Sequence, residues 1–226
     1  MLNRLMVAAF GVALAGQAFA ADVDLGGVKL KLDTPAAYCD LDSTQQNDKR
    51  MIDFVTASLR NGGIDLLAAS ADCGELRDWR SGKIPFVKHF SQYQISASRR
   101  RASFPVSSVK SECEELRTQG AKITSDSVGS VNDAIQKANK DISVQGATFL
   151  GIVGDDPNGC YAAMFQKYKA ENGTSVSQLN VFFVGSIKDR SLNFYLWAPY
   201  DGDMSTSALL SAVQAHVKKL KAANGI

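Results

Sequence analysis

The chain has only two histidines, His89 and His216, and no His-Glu-x-x-His string, so a histidine-rich metal centre has little material to draw on. It has no Gly-x-Ser-x-Gly elbow, which removes the commonest hydrolase nucleophile turn. None of its four cysteines are at Cys-x-x-Cys spacing, so neither a thioredoxin-like redox pair nor a zinc ribbon is expected. Excess charge is also missing. Without Arg4, the 25 Lys+Arg become 24, against 23 Asp+Glu. A protein that neutralises phosphates needs a basic excess, so nucleic acid is not expected as a partner. No segment reaches the ~20 apolar residues of a transmembrane helix, and no membrane anchor is expected.

The chain opens with Arg4, then an unbroken apolar run from Leu5 to Ala15, then Gly16-Gln17 and Ala18-Phe19-Ala20. A positive start, an apolar middle and small residues before the cut mark a secretory signal peptide, Met1–Ala20. As a helix the apolar run would span about 16 Å, short of a ~30 Å hydrocarbon core. Cleavage near Ala20 would leave 21–226 in the periplasm or outside the cell. There an even set of cysteines, Cys39, Cys73, Cys113 and Cys160, reads as two disulfides, with a free nucleophilic cysteine as the alternative.

No repeat or Pro/Gly linker divides 21–226, so one domain is expected. Val28–Leu32 alternates as a half-buried strand, and Pro35 ends it. Ser43 and Gln46 form a capping box before Met51, Ile52, Val55 and Leu59, one helical face that stops at Asn61-Gly62-Gly63. Ile64–Cys73 and Val87–Ser96 read as strands, with a polar turn at Asp78–Gly82. Two helices follow: one opens at Pro105 and closes at Gly120, and the other starts at Ser130. Ala147–Val153, Cys160–Tyr168, Gln178–Ile187 and Leu192–Ala198 form an antiparallel meander. Val181-Phe182-Phe183-Val184 is apolar on both sides, so its strand should be covered twice. A last helix starts at Ser205, with Leu209, Val213, Val217 and Leu220 inward. The expected fold is α+β: a single mostly antiparallel sheet with helices on its faces, in the order β-α-β-β-α-α-β-β-β-β-α.

That plan resembles the PsbP-like α/β/α sandwich of small exported proteins. The resemblance is carried by Thr34-Pro35-Ala36-Ala37-Tyr38-Cys39, by the meander, and by Trp197-Ala198-Pro199-Tyr200-Asp201 before the final helix. It spans most of 25–224 and implies an accessory or binding role, with no catalytic residue to carry over.

Three disulfide pairings are possible. If the helix after Ser43 carries the chain back along the sheet, the first two strands run parallel and finish at one edge. Cys39 then meets Cys73, and Cys113 meets Cys160.

Few other residues suggest chemistry. Arg99-Arg100-Arg101 is the only dense charge run and could fork onto a phosphate, sulfate or carboxylate. Trp79-Arg80, expected at a hairpin tip, would suit partner contact. A Cys/His pair of Cys39 or Cys73 with His89 would need free thiols. Asp155-Asp156 and Asp201-Gly202-Asp203 lack the remaining ligands of a calcium loop. The expectation is a periplasmic accessory or binding protein with no cofactor, metal or catalytic residue, contacting another periplasmic protein or a small anionic ligand. The alternative is a small exported hydrolase with an unfamiliar site.

Overall fold

A computed structural model describes residues 21–138, 142–170, 173, 175–200 and 205–226. The signal segment and Asp201–Asp203 lie outside these. Nine strands and four α-helices are described: β1 Ala21–Leu25, β2 Val28–Leu32, β3 Tyr38–Asp40, α1 Gln46–Arg60, β4 Ile64–Asp72, α2 Cys73–Arg80, β5 Phe90–Ser96, α3 Val106–Ala138, β6 Ile142–Asp156, β7 Gly159–Ala170, β8 Ser175–Ile187, β9 Arg190–Pro199 and α4 Thr206–Ala223.

The fold is α+β, but not on a single sheet. β1 and β2 form a separate antiparallel hairpin, and the other strands form a seven-stranded sheet in the order β3-β4-β5-β9-β8-β7-β6. Every pairing is antiparallel. The expected element order is not matched: β1, β3 and α2 were not foreseen, and the two successive helices expected before the meander are one, α3.

The parallel crossover is also corrected. Cys39 belongs to the short strand β3, where Tyr38 pairs with Asp72 and Cys39 with Ala71. The Cys73 amide donates to the Ala37 carbonyl at 3.0 Å. This antiparallel register brings Cys39 and Cys73 to a Cα separation of 4.9 Å, and they are bonded. Cys113 of α3 is bonded to Cys160 of β7. The inferred pairing is present, but for a different geometric reason.

Three local readings change as well. α1 begins at Gln46 behind Gln45, which makes no side-chain cap, so the Ser43 capping box is not used. Asp78–Gly82 is not a bare turn: α2 runs through Arg80, and its N-cap Asp72 accepts from the Gly74 and Glu75 amides. Gly120 does not end a helix, because α3 runs unbroken over 33 residues from Val106 to Ala138 and includes Ser130, where a separate helix was expected. The missing side chain of Gly120 serves contact: a Cβ there would lie 2.4 Å from the Phe149 ring on β6.

The meander is as expected, and so is the double burial of its third strand, β8. Val181, Phe182, Phe183 and Val184 are all buried. The Phe183 ring is seated against Gly159 and Gly185, where added Cβ atoms would come within 2.2 and 2.3 Å of it. α4, capped by Ser205, packs its stripe of Leu209, Val213, Val217 and Leu220 on one sheet face, and β1–β2 packs there too. Asn224 holds β2 at this face by accepting from the Lys31 amide and donating to its carbonyl. On the opposite face α1 packs on β4, and α3 packs on β6, β7 and β8.

Candidate functional site

The arginine run occupies the loop between β5 and α3, and its three members have different surroundings. Arg99 Nη1 meets Glu112 of α3 at 2.8 Å, and its guanidinium lies 5.2 Å from the Phe104 ring centroid. Arg100 Nη1 meets Asp65 of β4 at 2.9 Å. Arg101 is exposed and has no ion-pair partner among the described residues.

Two turns close around this loop. The Phe104 amide donates to the Asp189 carbonyl at 2.9 Å, tying the loop to the β8–β9 turn. Lys188 and Asp189 both have positive φ there, the twist a two-residue hairpin needs. The β1–β2 turn, Gly26-Gly27, also has positive φ at both residues. A Cβ on Gly26 would lie 2.8 Å from the Arg101 Cα, so glycine is needed for this approach as well as for the turn.

Between these segments lies an open cleft of about 590 Å³, lined by Asp24, Gly26, Gly27, Arg100 and Arg101. Arg190 braces it from behind by donating to the Leu25, Gly26 and Asp189 carbonyls. No carboxylate among the described residues pairs with Arg190. Asp24 accepts from the Gly27 amide at 2.7 Å. The cleft thus carries two guanidinium groups, one of them unengaged, against one carboxylate. The Arg190 contribution was missed because a lone arginine in a hairpin gives no sequence signal.

Trp79 and Arg80 are elsewhere, in the last turn of α2 rather than at a hairpin tip. Trp79 packs against the cluster of Ala71, Leu76 and Val87. Arg80 forks onto Asp48, a fully buried carboxylate of α1, with Nε to Oδ1 at 2.9 Å. That pair anchors α2 to α1 and leaves Arg80 committed to the fold.

The histidines are also placed. Glu75 Oε1 lies 2.7 Å from His89 Nδ1, while its Oε2 accepts from the Lys88 and His89 amides. A carboxylate therefore orients His89, but Cys39 and Cys73 are oxidised and supply no thiolate. His216 is buried on α4, and its Nε2 lies 2.5 Å from Tyr93 Oη, which donates to the Asp33 carbonyl. Burial, aided by Lys219, pushes the His216 pKa down to about 4, so this imidazole is neutral at pH 7.

Asp156, in the β6–β7 turn region, is bonded to Lys221 at 2.7 Å. It is therefore a structural carboxylate. Among the described residues no group of three or more His, Cys, Asp or Glu is placed to hold a metal ion. No described helix is long and apolar enough to cross a membrane. Comparison of the chain with family models, curated proteins and solved structures gives no match in any of the three.

Proposed function

We propose that this chain is an exported accessory or binding protein of the periplasm that takes a small anionic ligand in the cleft at Arg100 and Arg101. The carrying observation is the open cleft with Arg101 unengaged on its wall. A guanidinium presents five donors in a fixed fork, which suits a phosphate, sulfate or carboxylate. Both disulfides are formed, which supports a life outside the reducing cytoplasm. Signal-peptide cleavage near Ala20 and a relation to the PsbP-like sandwich belong to the same proposal.

The test is titration of the protein with inorganic phosphate, sulfate and citrate, followed by calorimetry. Binding of at least one anion is expected. It should weaken at least tenfold in Arg101→Ala, with the melting temperature unchanged. Equal affinity in Arg101→Ala, or no anion binding at all, would remove the proposal.

One observation favours a second reading, a small exported hydrolase: the Glu75–His89 contact orients an imidazole that is only half-buried. Turnover of ester or peptide substrates that vanishes in His89→Ala would select it.

A further inference from the structure

Three charged side chains line the arginine cleft, and one of them is already neutralised: Arg100 is paired with Asp65. The two that remain are opposite in sign, the Arg101 guanidinium and the Asp24 carboxylate, and both are exposed. They do not pair with each other, and neither has another ion-pair partner among the described residues.

The fold sets these two groups on facing walls. The Gly26-Gly27 turn rests directly on the arginine loop, with a Gly26 Cβ position only 2.8 Å from the Arg101 Cα. Asp24 is two residues before that contact, on β1. Arg190 holds the turn in place by donating to the Leu25 and Gly26 carbonyls at 2.6 and 3.3 Å. The Gly27 amide donates to Asp24 Oδ1 at 2.7 Å, which orients the carboxylate, while Oδ2 accepts from no described residue. Lys29 stands opposite Asp24 in the hairpin register but forms no ion pair with it.

Two free charges of opposite sign therefore share one open cleft without closing on each other. A simple anion gains from Arg101 and is repelled by Asp24, and a simple cation meets the reverse. An exposed ion pair contributes little by itself. A ligand that carries both charges gains at both ends and meets no like charge.

We propose that the anionic group taken by this cleft is the carboxylate end of a zwitterion, that is, a small amino acid. Its carboxylate forks onto Arg101, and its ammonium donates to Asp24 Oδ2. This rests on the anion-binding reading of the cleft and adds one requirement, a cationic group on the same ligand.

The test is calorimetric titration of the full disulfide-bonded protein with matched pairs of probes: glycine and acetate, β-alanine and propionate, γ-aminobutyrate and butyrate. The members of each pair differ by an ammonium in place of a hydrogen. At least one amino acid should bind about tenfold more tightly than its partner, the gain from one charge-assisted hydrogen bond. Asp24→Asn keeps an acceptor for the Gly27 amide and should melt within a few degrees of wild type. In that variant the amino acid should bind no better than its matched carboxylate, and the carboxylate should bind as well as before or better. Arg101→Ala should lose both. The proposal is overturned, with the anion reading intact, if phosphate or the carboxylates bind through Arg101 and no amino acid exceeds its partner. That comparison is made on wild type and does not depend on how any variant folds. An amino-acid advantage that survives in Asp24→Asn also overturns the proposal, because the ammonium is then held elsewhere. Absence of binding by every probe, phosphate included, overturns both readings.

Discussion

The two faces of the seven-stranded sheet are built from alternate residues of the same strands, yet they differ in kind. Toward α4, β9 presents Leu192, Phe194, Leu196 and Ala198, and β8 presents Leu179, Val181 and Phe183. Toward α3 the intervening positions are Asn193, Tyr195 and Trp197 on β9, with Asn180 and Phe182 on β8. The first face is closed by α4 and the β1–β2 hairpin and carries most of the large fully buried side chains. The second is covered by α1 and α3, which also contact each other, and keeps a buried polar layer in which Asn180 Oδ1 and Asn193 Oδ1 have no hydrogen-bond partner among the described residues. Apolar burial stabilises and unpaired buried amides do not, so stability belongs mainly to the first face.

The largest expected effect comes from breaking the first face. Phe183→Ala should cost about 3–5 kcal/mol, the range for deleting a packed aromatic ring. Gly159 and Gly185, against which the ring is seated, have no side chains of their own to fill the space. Urea unfolding midpoints read this directly. A cost below about 1 kcal/mol would mean the ring is not the centre of the core.

Next is the Cys113–Cys160 bond, which fastens α3 to β7 on the second face. Replacing both cysteines by serine should cost about 2–4 kcal/mol on the chain-entropy account. If the second face has little stability of its own, hydrogen exchange in the first half of α3 should rise more than in α4. Equal acceleration of both helices would erase the distinction between the faces.

The third effect is set by pH and belongs to the first face. His216 is held neutral down to about 4, against an ordinary value of 6.5. Between those values the unfolded chain binds the proton and the folded chain does not. Stability should therefore be full above pH 6.5, fall as pH drops toward 4, and level off below it, a loss on the order of 3 kcal/mol. His216→Gln should flatten that part of the pH profile relative to wild type. A variant with an unaltered slope would show that other groups set the acid limb.

Much of the first face was legible in the sequence. The alternation of β7 to β9 and the α4 stripe are local periodic signals, and the burial of Val181–Val184 follows from their continuous run. The parts that escaped depend on partners distant in sequence. β1 is only five residues long and gains its meaning by pairing with β2. α2 is a polar eight-residue helix held by the Asp72 cap and by Arg80 on Asp48. Gly120 looks like a stop signal, but it permits contact with Phe149. In the arginine run, sequence marks the cluster but cannot show that Glu112 and Asp65 engage Arg99 and Arg100 and leave Arg101. The polar layer was hidden for a related reason. Gln92 and Gln94 alternate as solvent-facing residues do, yet both are buried.

The smallest expected stability effect is the most direct test of the difference between the faces. The urea midpoint of Asn193→Leu should equal or exceed that of wild type with the slope unchanged, because an unpaired buried acceptor is exchanged for apolar surface of similar size. A loss of more than about 1 kcal/mol would mean that Asn193 holds the fold together and would contradict the assignment of stability mainly to the first face.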